Sequence, residues 1–259
     1  MLAAQIHPTA VIDESADLAA DVVVGAYAVI GPNVRIGGGT TIGPHVQIVR
    51  DTTIGEGCSI HHAAALGGDP QDLKYAGEPT ELVVGDRTLI REFVTLNRGT
   101  AAHRRTQVGS DCLIMAYAHV AHDCIIGDRV VLANGVQMGG HTTIEDWVIV
   151  GGLTAIHQFV KIGAHAFVGG SAAVMKDVAP YVKAAGNPLK LYGLNSIGLQ
   201  RRGFADQTRA DLKRAYRLFF QSSFNITQAL ERARGDLPDT PELRHFLAFI
   251  ESSERGVTV

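Results

Sequence analysis

The sequence predicts a parallel β-helix, a solenoid of short strands wound into stacked triangular coils, followed by a C-terminal α-helical domain. Three observations carry this. Every sixth residue is aliphatic over most of the first 175 positions, the residue two places before each is small or medium-sized, and glycine follows many of them. A period of six belongs neither to a helix (about 3.6) nor to an ordinary strand (2), and it marks short rungs stacked on one another.

The aliphatic anchors open with Ile6, Ile12, Leu18, Val24, Ile30, Ile36, Ile42, Ile48, Ile54, Ile60 and Leu66. They resume at Val84, Ile90 and Leu96, then run from Val108 through Val120, Met138 and Ile156 to Val174. Positions two apart on a strand share a face, so Val22, Ala28, Thr40, Cys58 and their equivalents point inward beside the anchors. Glycine directly after an anchor (Gly25, Gly31, Gly139, Gly151, Gly163) suits a sharp corner that needs positive φ or close backbone approach. Three sides make an 18-residue coil, and the 26 anchors give between eight and nine coils. Both pauses return in phase. Residues 67–79 and 101–107 are therefore expected to project as loops from intact coils, and loops on rigid scaffolds are where function concentrates.

The anchors stop near Val178-Ala179-Pro180, where proline takes the next anchor position. After Gly186-Asn187-Pro188 the character turns helical. Asp206 to Ser222 carries Leu212, Ala215, Tyr216, Phe219 and Phe220 at helical spacing. Asn225 with Gln228 can cap a second helix, and Thr240 followed by Pro241 can open a third. The expected division is a β-helix over residues 1–186 and a helical domain over 187–259.

The net charge of −3 leaves no basic footprint for nucleic acid. No 18-residue apolar run and no basic-then-apolar N-terminus occurs, so the expectation is a soluble cytoplasmic protein with no integral membrane segment. Cys58, Cys112 and Cys124 all fall on the inward small-residue slot and read as reduced core filler.

His122, His141 and His157 follow Val120, Met138 and Ile156, anchors 18 residues apart. They are expected at one corner of three successive coils. With rungs about 4.8 Å apart, the column would span roughly 10 Å, enough for the reacting end of a substrate. His157 also takes a slot where Gly151 and Gly163 stand in neighbouring hexads, and departures from local consistency mark sites.

Five stretches are more specific than the repeat: His119-Val120-Ala121-His122-Asp123-Cys124, Gln71-Asp72-Leu73-Lys74-Tyr75, Gly139-Gly140-His141, His157-Gln158-Phe159 and Arg201-Arg202-Gly203-Phe204. In this order they resemble motifs of the UDP-N-acetylglucosamine O-acyltransferases, which make the first committed transfer of lipid A synthesis. The resemblance spans essentially the whole chain, tail included. It implies a left-handed coil, against the general preference for right-handed crossovers. It implies acyl transfer from an (R)-3-hydroxyacyl-acyl carrier protein to the glucosamine 3-hydroxyl of UDP-N-acetylglucosamine, with no cofactor and no metal. It also implies a homotrimer with sites at subunit interfaces.

On the matching positions the resemblance makes His122 the general base, Asp123 the carboxylate that fixes its tautomer, and the Gly140 N–H the oxyanion donor. The residue types suit the chemistry. A sugar hydroxyl is a poor nucleophile at neutral pH, and an imidazole with an ordinary pKa near 6.5 can take its proton as it attacks the thioester. Asp72 and Lys74 match loop residues at the sugar and acyl sites, and His141, His157 and Gln158 match others lining the cleft. Asn195, Arg201 and Arg202 match the uridine and phosphate end, where a guanidinium fork suits a diphosphate. Gly170 matches the position that measures acyl length. Lys213, Arg214 and Arg217 offer the acidic acyl carrier protein a basic helix face, or form an ordinary solvated one. Asn97 and Ile197 depart from the histidine and glutamate common in the family, which leaves a 3-amino UDP-sugar open as acceptor.

Three rival readings remain at the level of sequence. A trimeric γ-type carbonic anhydrase uses a similar solenoid with interfacial histidines on zinc; here His119 and His122 are the metal-like pair, but three apart on a strand they would face opposite ways. The N-acyltransferase of the same pathway carries a uridine-binding domain before the coils, whereas these hexads begin at Ile6. A non-catalytic scaffold explains the coils but neither the histidine column nor the Gln71–Tyr75 loop.

Overall fold

The computed structural model describes residues 5–259. Each of the 26 anchors lies in its own strand of two to four residues, and the strands stack into three parallel sheets that form the faces of a triangular prism. The first face begins at Gln5–Ile6, the second at Val11–Ile12 and the third at Asp17–Leu18. Register follows the coil length: Ile12 pairs with Ile30 and Val120 with Met138, while Ile60 pairs with Ile90 across the coil that contains residues 67–79. Anchors and inward small residues from Val22 to Val174 fill a continuous core in which Val120, Cys124, Ile126, Val136 and Ile144 are wholly buried. Burying each such aliphatic side chain contributes about 1.5–3 kcal/mol, which is what drives two-residue strands to form at all.

The corners separate the two reasons offered for glycine. Positive φ belongs to the third residue after an anchor and is met mostly by residues other than glycine, among them Tyr27, Asn33, Asp123, His141, Phe159 and His165. Each such left-handed residue costs roughly 1–2 kcal/mol, sustained by the stacked coils. Glycine after the anchor instead admits the next coil's backbone: a Cβ on Gly31 would lie 1.8 Å from the Val49 carbonyl oxygen.

The stack does not stop at Pro180. Val178 bridges Ile162, and Val182–Ala185 adds to the first face beside Phe167–Val168 before turning antiparallel into Lys190–Leu194. Gly163 makes room for the proline ring, which stands 2.5 Å from where a Cβ would be. Four helices follow: α1 (Ser196–Arg201), α2 (Asp206–Phe220), α3 (Ile226–Asp236) and α4 (Pro241–Glu251). Asn225 and Gln228 form the expected capping box on α3, and Thr240 caps α4 ahead of Pro241. Leu212, Tyr216 and Phe219 of α2 pack with Phe246 and Ile250 of α4 in the apolar core. Beyond α4 the chain returns to the coils, where Thr258 N–H donates to the Asp177 carbonyl and Ser253 Oγ to its carboxylate. None of these helices is long and apolar enough to cross a membrane.

Candidate active site

Both loop excursions and all three histidines leave the prism along one edge, between the second and third faces. The excursions join Ala65–Gly68 to Glu81–Val84 and Thr95–Asn97 to Arg105–Val108; in the next three coils the same turn holds His122, His141 and His157. The three histidines therefore share an edge, as expected, but stand at different positions within the turn. His141, in the left-handed slot, stacks flat on Phe159 at 4.5 Å and meets the edges of His122 and His103 at 5.2 and 5.3 Å. His157 stands one coil further along, its Nδ1 3.0 Å from the Gln158 carbonyl and 3.3 Å from Nη2 of Arg255, which the returning C-terminal segment delivers. The exposed Gln158 and Phe159 complete that turn.

Asp123 is the buried centre of the edge. One carboxylate oxygen accepts the backbone N–H groups of Thr100 (2.9 Å) and His103 (3.2 Å); the other accepts the Thr100 hydroxyl (2.7 Å) and His122 Nδ1 (2.8 Å). Its own N–H donates to Thr106 Oγ1. Burial alone would raise its pKa; the hydrogen bonds from Thr100 and His122, with nearby His141, outweigh that and hold it below the ordinary carboxylate value. An ionised carboxylate can only accept, so His122 carries its proton on Nδ1 and leaves the Nε2 lone pair free. Burial first, and then His122 and His103, depress the pKa of His141 despite the opposing pull of Asp123 and Asp72.

Gly140 lies directly under the His122 ring: a Cβ there would sit 2.5 Å from Cε1 and 2.7 Å from Nε2. On the edge between the third and first faces, the equivalent N–H groups of Asp86, Ser110 and Asp128 are each capped by a side chain from the following coil. Among the described residues nothing caps the Gly140 N–H in this way. A free donor thus stands beside a free base.

The 67–79 excursion carries Asp72 and Lys74. Asp72 Oδ1 accepts the Lys74 N–H at 2.9 Å, and Lys74 and Leu73 are exposed. Arg98, 1 % exposed, braces this loop by donating to the Gly67 carbonyl, the Asp69 carboxylate and the Tyr75 hydroxyl. Neighbouring Asn97 donates to the Asp69 carbonyl at 2.6 Å. Arg98, Thr100 and Arg255 were not singled out from the sequence. Counting anchors in threes would have shown that both pauses fall in the turn that later carries the histidines.

The remaining predicted residues lie elsewhere in the chain. Arg201 is exposed and lines a cavity of about 420 Å³ on the outer side of the first face, with Phe167, Lys183, Tyr192 and Ile197. The first face is the side of the prism opposite the His122 edge. Asn195 has its amide committed within the protein: Oδ1 accepts from Gly198 N–H at the start of α1 and Nδ2 donates to the His165 carbonyl. Arg202 is half-buried over the Trp147 ring at 5.1 Å, its Nη1 3.2 Å from His165 Nδ1, while Arg129 covers the same indole at 5.0 Å. Gly170 lies on the third edge, between the first and second faces, where a Cβ would come 3.1 Å from the Gly152 carbonyl.

Two other chemistries fit less well. The strand holding His119 ends at Val120, so His119 and His122 do not face opposite ways; both point outside the coil, close enough that His122, after burial, helps depress the His119 pKa. His119 Nδ1 is paired with Thr95 Oγ1 at 2.7 Å. Ligand atoms of His103, Asp123 and His141 converge within 4.8 Å, yet all four lone-pair sites of Asp123 already face N–H or O–H donors, which leaves none for a metal. The cysteines are buried, each Sγ directed at a backbone carbonyl, and burial pushes the Cys112 thiol up to about 11 and Cys124 to about 12, far from a reactive thiolate.

Comparison with known proteins agrees along the whole chain. Residues 105–140 match the bacterial transferase hexapeptide repeats, and residues 177–258 match the second domain of the Udp N-acetylglucosamine O-acyltransferase family. A Herminiimonas arsenicoxydans protein named acyl-[acyl-carrier-protein]–UDP-N-acetylglucosamine O-acyltransferase is 48 % identical over 257 residues, covering 97 % of this chain and 98 % of its own. A protein of the same name from Myxococcus xanthus is 48 % identical over 256 residues, covering 98 % and 99 %. The crystal structure of the UDP-N-acetylglucosamine O-acyltransferase of Moraxella catarrhalis superposes with a TM-score of 0.94 at 42 % identity, covering 98 % of this chain and 99 % of that one. The coil is accordingly the left-handed parallel β-helix of hexapeptide acyltransferases, and the chain belongs to the UDP-N-acetylglucosamine O-acyltransferase family.

Proposed function

We propose that this protein transfers an (R)-3-hydroxyacyl group from acyl carrier protein to the glucosamine 3-hydroxyl of UDP-N-acetylglucosamine, opening lipid A synthesis in the cytoplasm, and that it does so as a homotrimer. The observation that carries the reading is the dyad: His122 Nδ1 at 2.8 Å from a buried, ionised Asp123, with Gly140 beneath the ring. His122 Nε2 takes the sugar hydroxyl proton as the oxygen attacks the thioester carbonyl. Such a base contributes roughly 10²–10⁴-fold. The Gly140 N–H receives the tetrahedral oxyanion, a donor worth about 10²–10³-fold in comparable sites. Collapse expels the carrier's thiolate, which recovers the proton from the His122 imidazolium, so no covalent acyl-enzyme forms.

Asp72, Lys74, His141, His157 and Gln158 share the dyad's edge and are assigned to sugar and acyl contacts. Arg201 and Arg202, with Asn195 behind them shaping α1, are assigned to the uridine and phosphate end, and Gly170 to the acyl tail. These groups cannot meet His122 within one chain, because they lie across the prism or on another edge. A cyclic trimer that presents the first face of one copy to the His122 edge of the next brings them together, three times over.

The test is mass spectrometry of the product formed from UDP-N-acetylglucosamine and a mixture of hydroxyacyl carrier proteins. It distinguishes ester from amide when a 3-amino sugar competes, and His122→Ala should abolish transfer with the oligomer intact. Mixing inactive His122→Ala with inactive Arg201→Ala chains should restore activity at about a quarter of the sites in randomly assembled trimers. Full activity in a monomer, or no recovery on mixing, would contradict the shared site.

A further inference from the structure

We propose that Thr100 is a positioning residue for the base: its backbone N–H and its hydroxyl together grip both oxygens of Asp123 and so fix the plane in which His122 is held. The inference rests on the reading of His122 and Asp123 as the catalytic pair, and it adds a third member to it.

The geometry is that of a clamp. Thr100 N–H donates to one carboxylate oxygen at 2.9 Å and Thr100 Oγ1 to the other at 2.7 Å, and this second oxygen is the one that accepts from His122 Nδ1. A carboxylate gripped at both ends by one residue cannot rotate about its Cβ–Cγ bond without breaking two hydrogen bonds. Both residues are buried, Thr100 at 7 % and Asp123 at 1 % exposure, so water does not replace a lost donor. The β-branched side chain adds stiffness at χ1. Thr100 closes the strand-to-loop segment whose preceding residues, Asn97 and Arg98, brace the 67–79 excursion, so one short stretch sets both the loop and the base.

The clamp also has an electrostatic consequence. The ionisable groups around Asp123 are His122, His141 and His103 on its own edge, His119 from the second face and Asp72 from the excursion. Of the side chains among the described residues that donate to the carboxylate, only Thr100 does so without titrating. Removing its hydroxyl leaves more negative charge on the oxygen facing Nδ1, which stabilises the imidazolium and makes His122 harder to deprotonate.

The experiment uses the full-length enzyme with UDP-N-acetylglucosamine and a hydroxyacyl carrier protein. Thr100→Val keeps the shape and loses the donor. It should lower kcat by about 10–100-fold, since small misplacements of a reacting group cost that much, while KM for the sugar nucleotide stays within about twofold. The acidic limb of the kcat/KM profile should move to higher pH. Thr100→Ser, which restores the donor, should return kcat to within about threefold of wild type. Should the valine variant fail to assemble, Thr100→Cys, with its weaker donor, should show a smaller loss of the same kind. Wild-type kcat and pH profile in Thr100→Val, or a serine variant as impaired as valine, would each overturn the proposal. A wild-type protein that transfers no acyl group at all would instead sink the assigned function and leave the clamp a structural feature.

Discussion

Gly140 offers a direct measure of how tightly the His122 ring is held. Substitution by alanine leaves the backbone N–H in place and imposes no left-handed strain, because Gly140 does not adopt positive φ. The new methyl, however, would begin 2.5 Å from His122 Cε1, and ordinary contact begins at 3.4 Å. The ring must therefore retreat by about 0.9 Å, while its Nδ1 is tied at 2.8 Å to a carboxylate that is itself clamped. A displacement of about 1 Å from productive geometry costs on the order of 10²-fold, so kcat for Gly140→Ala should fall by about two orders of magnitude. KM for both substrates should hardly change, because the methyl faces the His122 ring and leaves the excursion loops untouched. Steady-state kinetics with the acyl carrier protein donor, alongside thermal melting of wild type and variant, makes the measurement. Activity above about a third of wild type would mean that the ring does not need its place on Gly140, and the assignment of His122 as base would lose its geometric support.

Two further outcomes follow from the same contacts. Arg98→Met should loosen the 67–79 excursion, leaving the buried Gly67 carbonyl without its donor at a cost of about 1–3 kcal/mol in stability; KM for the sugar nucleotide should rise by about tenfold, equivalent to about 1.4 kcal/mol of lost organisation, and an unchanged KM would separate this brace from substrate binding. His165 is held neutral, mainly by burial and then by Arg202 and His245, with its pKa pushed down to about 4. Because its folded pKa lies below the unfolded value of 6.5, the unfolded chain takes up a proton first as pH falls. Stability is then lost between pH 6.5 and 4, by up to about 3 kcal/mol. Urea midpoints across that range should show a steeper fall for wild type than for His165→Phe, and parallel slopes would refute it.

Most of the coil was legible because its signal is local and repeated. All 26 anchors became strands and all three cysteines turned inward, since period and polarity alone decide which side of a rung faces the core. The caps of α3 and α4 were legible for the same reason, each being a matter of residues three apart. By contrast α1 spans six residues with a glycine inside and begins at a cap whose amide also reaches His165, thirty residues back, so no periodicity announces it. Motif resemblance pointed to His122, Asp123 and Gly140, which the fold brings together on one edge. Their support was not legible: Thr100 meets Asp123 across 23 residues and Arg98 meets Gly67 across 31, contacts created only when successive coils stack. The histidine column runs along one edge, as its 18-residue anchor spacing implies. The rings follow their anchors by two, three and one residues, however, and the ring that continues the stack beyond His141 is Phe159.

Placing both excursions on a single edge has a consequence for how this chain tolerates insertions and deletions. Residues added or removed within the 67–79 excursion, or among the exposed residues 101–104, change the length of an arm that hangs outside the prism, and every later rung keeps its partner. A single residue lost from any rung would instead turn the following inward side chains out towards solvent and shift each left-handed corner by one place. Changes in arm length are thereby confined to the margin that carries His122, while the remaining two margins and the spacing of the imidazoles stay locked to the winding of the coil.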